Sequence, residues 1–184
     1  MSGRDLHTHT TFSDGACSPD EMAFAAAARG LDTLGFSDHS YTAFDESWCM
    51  RKSDIPRYLE AVRKLKEAYR GRLEILCGVE QDFYSDEPTE PYDYVIGSVH
   101  YLKVGDAYLP VDESAELLRA AAERYFGGDI YALVELYFET VSRVVEKTRA
   151  DIIGHFDLIS KFNEQTPLFD TQNPRYAAAW QTAA

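Results

Sequence analysis

The sequence has few cysteines, no long apolar run and no leader-like segment at its start. Cys17, Cys49 and Cys77 form no Cys-x-x-Cys pair, which disfavours both a thiolate metal site and a disulfide framework and predicts reduced thiols. No apolar run approaches the roughly 20 residues that cross a bilayer, so we expect no membrane partner. Because a basic and then apolar leader is also missing, we expect a cytoplasmic protein.

Positive charge is also scarce. Lys and Arg number 18 against 31 Asp and Glu, which gives a formal net charge of −13. A surface that follows a nucleic-acid backbone has to be basic, so this composition disfavours a nucleic-acid partner and favours a small soluble ligand. With 45% hydrophobic residues over 184 positions, the chain is long and apolar enough to form one domain with its own core.

Strand and helix signals alternate along the chain. Ser18, Pro19 and Glu21 form a helix-start signature, and Gly30 and Gly71 are typical of residues just beyond a helix end. Strands joined through helices are parallel with right-handed crossovers, which predicts a parallel α/β fold. Strands are predicted over residues 5–10, 33–39, 73–83, 94–100 and 152–155, and helices over 21–29, 55–69, 113–125, 130–149 and from 173 onward.

Each histidine lies at or just beyond the carboxyl end of a predicted strand. His7 and His9 are two residues apart on one strand, so their side chains point to the same face and can chelate one metal ion. Functional groups gather at this end of parallel α/β barrels, so we expect the histidines to converge in a barrel and not in an open sheet. A core histidine bonded to backbone stays an alternative for any one of them. The five are His7, His9, His39, His100 and His155.

Three carboxylates lie close to the same strand ends. Asp14 follows the first strand, and Asp38 directly precedes His39. Asp38 can instead orient a neighbouring imidazole without binding a metal itself. Glu80 lies within the apolar run of residues 76–80, where an unpaired charge would be costly. A bound metal, or a pair of metals, would remove that cost.

Together these side chains predict a metal centre. Mixed imidazole and carboxylate ligands suit Zn, Fe or Mn, and seven candidates are too many for one ion, so we predict two to three divalent ions with Glu80 as a bridge. Metals a few ångströms apart can hold a hydroxide and clamp phosphate oxygens during in-line attack, which predicts hydrolysis of a phosphoester. The seven candidates are His7, His9, Asp14, His39, Glu80, His100 and His155.

Six short motifs carry these residues: His7-Thr8-His9, Ser13-Asp14-Gly15, Ser37-Asp38-His39, Gly78-Val79-Glu80, Gly97-Ser98-Val99-His100 and Gly154-His155-Phe156-Asp157. In order and spacing they resemble the PHP (polymerase and histidinol phosphatase) family, most of all its histidinol-phosphatase branch, over nearly the whole chain. The resemblance implies a distorted (β/α)7 barrel with a trinuclear metal centre. It assigns the ligands to three metals: His7, His9 and Glu80 to the first, Glu80, His100 and His155 to the second, and Asp14 and His39 to the third.

The resemblance stops short at the carboxyl end of the sequence. Family members continue with two more strands and a closing Asp-x-His motif, whereas this chain has no sixth histidine and ends at Ala184 within a predicted helix. We therefore expect a single PHP domain over residues 1–184 that lacks its C-terminal strands. The α/β barrel would then be incomplete, with about five strands and an unpaired edge.

The resemblance also implies a metal-dependent phosphomonoesterase, with L-histidinol phosphate as the expected substrate. Lys161 and Arg51 are candidates to bind the phosphate, and Asp82 and Asp93 are candidates to transfer a proton or to hold the substrate amine. Two alternatives stay open: a PHP phosphoesterase for another small phosphomonoester or a nucleotide, and a metal-binding fragment without turnover because its C-terminal ligands are missing. A DNA-proofreading role, also found among PHP domains, fits poorly with the acidic composition.

Overall fold

The computed structural model describes residues 3–184, and this part of the chain divides into two compact units. The first unit contains the described residues up to Gly97 together with Thr148–Ile152. The second unit contains Ser98–Lys147 together with Ile153–Ala184. Across residues 3–184, every helix is too short or too polar to cross a bilayer.

Strands and helices alternate through most of the chain, as the sequence predicts. The strands are β1 (Gly3–Thr8), β2 (Leu31–Phe36), β3 (Glu74–Asp82), β4 (Tyr94–Ser98), β5 (Tyr101–Val104), β6 (Ala107–Pro110) and β7 (Ile152–Ile153). The helices are α1 (Pro19–Ala28), α2 (Ile55–Ala68), α3 (Ala115–Phe126), α4 (Ile130–Ser142), α5 (Val144–Thr148) and α6 (Pro174–Ala183).

Five strands form one sheet in the order β1-β2-β3-β4-β7. β1 pairs in parallel with β2, with Thr8 opposite Phe36, and β2 pairs in parallel with β3, with Phe36 opposite Cys77. The carboxyl ends of β1 and β2 therefore lie level with Cys77, and β3 continues beyond them to Asp82. This register brings together the residues that follow β1 and β2 with the last residues of β3.

The core of the first unit lies between the sheet and helices α1 and α2. α1 begins at a capping box, in which Ser18 Oγ accepts from the Glu21 N–H and the Glu21 carboxylate accepts from the Ser18 N–H. α2 buries Tyr58 and Val62, and the Tyr58 hydroxyl donates to the Gly78 carbonyl at 2.8 Å. This packing holds α2 against β3 at Gly78, two residues before Glu80.

Tyr94 of β4 lies across two glycines of the neighbouring strands. A Cβ built on Gly35 would overlap the Tyr94 hydroxyl, and a Cβ built on Gly78 would overlap its ring. The hydroxyl lies 2.7 Å from the Leu6 carbonyl and 3.1 Å from the Phe36 carbonyl. The two glycines thus give space for a ring that ties β4 to β1 and β2.

The second unit is built around α4, which packs against α3 and α6. Tyr137 and Phe138 of α4 are buried, and the Phe138 ring lies 5.5 Å from the ring of Tyr176 on α6. The Tyr137 hydroxyl donates to the His155 carbonyl at 3.3 Å and accepts from the Leu158 N–H at 3.1 Å. α4 therefore anchors the segment that follows β7.

Two local predictions differ from the structure. β5 and β6 form an antiparallel hairpin that we did not predict, although Gly105-Asp106 at its turn is a recognised hairpin signal and Gly105 has a positive φ of 60°. The single helix predicted over residues 130–149 is two helices, α4 and α5. Ser142 Oγ bonds to the Glu139 carbonyl at 2.7 Å at the end of α4, a local bond that competes with the helix ladder.

Candidate metal centre

Three imidazoles of the first unit converge on one oxygen of Glu80. The Glu80 side chain lies near the end of β3 and is fully buried. Its Oε2 atom is 3.1 Å from His7 Nε2, 3.0 Å from His9 Nε2 and 3.1 Å from His39 Nδ1. The structure thus brings together four of the predicted metal ligands.

Backbone pairing beyond the ends of the strands places these side chains. The Ser37 N–H donates to the Thr8 carbonyl at 2.8 Å, which continues the contact between β1 and β2. A parallel bridge then joins His39 to Glu80, with the Ser40 N–H 2.9 Å from the Glu80 carbonyl and the Glu80 N–H 3.1 Å from the Asp38 carbonyl. The imidazole of His39 is therefore held beside Glu80 by main-chain hydrogen bonds.

Asp14 completes the group from the loop after β1. Its Oδ1 lies 2.9 Å from His9 Nδ1, and its Oδ2 lies 3.7 Å from His39 Nε2. The rings of His9 and His39 are 4.2 Å apart between centroids. Asp14 and Glu80 thus face the same two imidazoles through their opposite ring nitrogens.

The electrostatics of this group favour positive charge. Burial alone would lower the pKa of His9, but its interactions with Asp14 and Glu80 raise the pKa to about 9. Hydrogen bonding with His39 and then with His9 holds the pKa of Asp14 well below its usual range. Two acidic side chains among three imidazoles therefore form a site that stabilises a cation.

The arrangement fits a divalent ion better than a set of hydrogen bonds. A carboxylate oxygen has about two lone-pair directions, so Glu80 Oε2 cannot accept well from three imidazoles at once. Ligand atoms that lie about 2.1 Å from one ion stand roughly 3.0–3.4 Å apart, close to the separations found here. The ligand atoms of His9, His39 and Glu80 all lie within 4.8 Å of one another.

The remaining two histidines lie together in the second unit. The His100 and His155 rings are 5.0 Å apart between centroids, at 67° to each other. The Val111 N–H donates to the His100 carbonyl at 2.9 Å, and the Tyr137 hydroxyl donates to the His155 carbonyl. The structure therefore pairs the two imidazoles, while their role as ligands stays a prediction.

The predicted catalytic carboxylates have different surroundings. Asp82 is buried at the end of β3, two residues beyond Glu80, and accepts from the Tyr84 N–H at 2.8 Å. Asp93 lies at the amino end of β4, where it accepts from the Cys77 N–H at 2.6 Å and pairs with Lys66. The catalytic role of Asp82 stays a prediction. The contacts of Asp93 are those of a residue that stabilises the sheet.

The two predicted phosphate-binding residues lie on the surface. Lys161 Nζ donates to the Asp112 carbonyl at 2.9 Å and lies 3.4 Å from the Asp112 carboxylate. Arg51 is exposed and precedes a single 3-10 turn over Lys52–Asp54. Their roles toward a substrate stay predictions.

One aromatic neighbour of the cluster comes from a loop. The Trp48 ring lies 4.5 Å from the His39 ring in a T-shaped arrangement, with 85° between the planes. Trp48 belongs to the long loop between β2 and α2. Nothing in the sequence pattern distinguishes it from an aromatic residue that only packs beneath that loop.

Residues 5–184 match the PHP domain family. The chain belongs to the PHP family. It is 34% identical over 179 residues to the probable histidinol-phosphatase of Deinococcus radiodurans, an alignment that covers 89% of this chain and 64% of that protein. The chain thus spans less than two thirds of this relative's length. The family and its histidinol-phosphatase branch, predicted from the motifs, are confirmed.

Two crystal structures share the fold. A candidate histidinol phosphatase from Listeria monocytogenes superposes with a TM-score of 0.76 at 23% identity, covering 98% of this chain and 78% of that chain. The histidinol phosphate phosphatase from Lactococcus lactis, complexed with Zn, L-histidinol and phosphate, gives a TM-score of 0.61 at 20% identity, covering 87% and 60%. The predicted fold class, an α/β PHP-type barrel that is incomplete and has five strands in its sheet, is confirmed.

Proposed function

We propose that this chain acts as a metal-dependent phosphomonoesterase that hydrolyses L-histidinol phosphate to L-histidinol and phosphate. The observation that carries the proposal is the convergence of His7, His9 and His39 on the buried Glu80 carboxylate. The name of the Deinococcus relative supports the reaction, and the Zn, L-histidinol and phosphate bound by the Lactococcus enzyme support the cofactor and the substrate.

We propose two to three divalent ions, Zn, Mn or Fe, as the cofactor. In the first unit the ions would be held by His7, His9, His39, Asp14 and Glu80. In the second unit His100 and His155 are proposed as further ligands. Bound ions of this kind polarise water and neutralise the charge of a phosphate group. The chain itself supplies the negative charge of Glu80 and Asp14, which would hold the cations.

Other side chains would act on the substrate directly. We propose that Asp82 moves a proton, since it is a buried carboxylate on the same strand as Glu80 and on the same side. Lys161 and Arg51 are proposed to bind the phosphate, and Lys161 would have to leave Asp112 to do so. Asp93 was also predicted to be catalytic, but its hydrogen bond from Cys77 and its pairing with Lys66 argue against that role.

The test is phosphate release from L-histidinol phosphate by the purified protein. We expect activity that a chelator abolishes and that Mn²⁺, Zn²⁺ or Fe²⁺ restores, and a large loss in His7→Ala. A panel of other small phosphomonoesters and nucleotides, assayed in parallel, distinguishes the first alternative substrate class. Tight metal binding without release of phosphate from any ester would contradict the proposal and identify a metal-binding protein without turnover.

A further inference from the structure

Asp38 is a buried carboxylate that bonds to the loop carrying Asp14. It directly precedes His39, and its side chain is fully buried. Within residues 3–184 its carboxylate accepts four hydrogen bonds, all from the loop after β1. Asp38 Oδ1 accepts from the Thr10 N–H at 2.8 Å, the Ser13 N–H at 3.1 Å and the Ser13 hydroxyl at 2.6 Å. Asp38 Oδ2 accepts from the Thr10 hydroxyl at 2.9 Å.

These bonds shape the loop that carries Asp14. The N–H groups of Ser13 and Gly15 both donate to the Thr10 carbonyl, at 3.0 and 2.9 Å. Gly15 lies so close to the backbone of His9 that a Cβ at this position would overlap it. The loop is therefore folded back over the end of β1, and this turn is what brings the Asp14 carboxylate to His9.

Ser13 connects the two carboxylates most directly. Its hydroxyl lies 2.6 Å from Asp38 Oδ1 and 3.4 Å from Asp14 Oδ1. Asp14 itself is about half exposed, so packing alone does not hold its side chain in one position. The position of Asp14 therefore depends on the hydrogen bonds that Asp38 makes to the residues before it.

We propose that Asp38 is a positioning residue, which holds the loop of residues 10–15 so that Asp14 can bind a metal ion together with His9 and His39. A carboxylate that accepts four hydrogen bonds from one loop rigidifies that loop, and residues that orient metal ligands in this way typically change metal affinity by about 10- to 100-fold. This inference rests on the proposed metal-dependent function. It differs from the prediction that Asp38 orients a neighbouring imidazole.

The main test is a double-mutant cycle read out by Mn²⁺ affinity, measured by electron paramagnetic resonance of free Mn²⁺. Asp38→Ala should weaken binding by roughly 10- to 100-fold, and Asp14→Ala, which removes a ligand itself, by at least as much. The double variant should bind no more weakly than Asp14→Ala, because Asp38 acts through Asp14. Losses that multiply in the double variant would overturn the proposal, as would wild-type affinity in Asp38→Ala.

Two further variants separate positioning from charge and from general damage to the fold. Asp38→Asn keeps the shape and one acceptor oxygen and can donate to the Thr10 hydroxyl, so it should lose clearly less affinity than Asp38→Ala. An equal loss in both would show that charge, not the geometry of the loop, is what Asp38 contributes, and would overturn the proposal. The matched control is Glu74→Gln, a carboxylate at the amino end of β3 that accepts from the Thr33 hydroxyl at 2.8 Å and should leave affinity unchanged.

A measurement on the metal-free protein keeps this inference distinct from the proposed function. In Asp38→Ala the amide protons of Thr10 and Ser13 should exchange with solvent roughly tenfold faster or more, because their acceptor has been removed. If the wild-type protein bound no Mn²⁺, the proposed function would fail even if this exchange result were obtained. Unchanged exchange at Thr10 and Ser13 would overturn the positioning role by itself.

Discussion

Carboxylates at the two ends of the sheet in the first unit have different surroundings. At the amino ends of β3 and β4, Glu74 accepts from the Thr33 hydroxyl at 2.8 Å, and Asp93 accepts from the Cys77 N–H and pairs with Lys66. At the carboxyl end, the single atom Glu80 Oε2 faces three imidazole nitrogens at about 3 Å. Carboxylates with ordinary donors stabilise a fold, whereas a carboxylate crowded by ligand atoms indicates a site for a cation.

The largest effect on metal binding is expected for Glu80→Gln, at the carboxyl end of β3. The amide keeps the volume of the side chain but removes the buried negative charge that three imidazoles share. We expect Mn²⁺ affinity to fall by about 100-fold or more, beyond the effect of losing a residue that only orients a ligand, and phosphate release to be lost. Glu74→Gln is the matched control at the other end of the sheet. Wild-type Mn²⁺ binding in Glu80→Gln would contradict the assignment of this cluster.

A substitution in the middle of the sheet should change the stability of the protein and not its metal affinity. Gly78→Ala would place a methyl group against the Tyr94 ring, and overpacking of this kind lowers the free energy of unfolding by about 1–3 kcal/mol. Urea unfolding measures the loss. Gly3→Ala is the control, because a Cβ there would make ordinary contacts with Leu31 at 3.6–3.9 Å. Replacement of Tyr94 by leucine in the Gly78→Ala background should recover part of the stability, and no recovery would refute the packing argument.

Asp93→Ala tests whether the amino end is structural. The variant leaves the Cys77 N–H without its acceptor, which should lower the free energy of unfolding by about 1–2 kcal/mol. The Lys66 pair is partly exposed and should add little. We expect Mn²⁺ affinity and phosphate release to be unchanged. A loss of activity with unchanged stability would instead restore the predicted catalytic role of Asp93.

Much of the candidate site could be predicted from the sequence because strand ends are readable in it. The positions of His7, His9, His39 and Glu80 relative to predicted strands are enough to place them at one edge of a parallel sheet. The partners of Asp38 could not be predicted in this way. Thr10 is 28 residues away along the chain, and only the pairing of β1 with β2 brings it within hydrogen-bond distance.

The same limit applies elsewhere in the fold. Asp93 is predicted to be catalytic because it lies beside a strand that ends in a histidine, but the sequence did not predict the contact of its carboxylate with Cys77, 16 residues earlier. Trp48 lies in a loop without periodicity, so no pattern could place it beside His39. Local signals predict elements and the side on which residues lie, whereas contacts between loops depend on the tertiary structure.

The smallest expected effect concerns Cys77, which lies on β3 between the two ends of the sheet. Burial, followed by the nearby Asp93 charge, raises the pKa of the Cys77 thiol to about 12. At pH 8 only about one thiol in ten thousand would then be a thiolate, so iodoacetamide should modify the exposed Cys17 and spare Cys77. Mass spectrometry of the cysteine-containing peptides measures both reactions.

The rate at which Cys77 is modified also reports on metal binding at the carboxyl end of β3. Modification of a buried thiol proceeds through opening of the sheet, and a ligand that binds only the native state makes that opening rarer. Saturating Mn²⁺ should therefore slow the labelling of Cys77 while leaving that of Cys17 unchanged, and Glu80→Gln should remove this protection. If Mn²⁺ slowed both cysteines equally, or protected Cys77 in Glu80→Gln as well, the ion would be acting at some place other than the carboxyl end of β3.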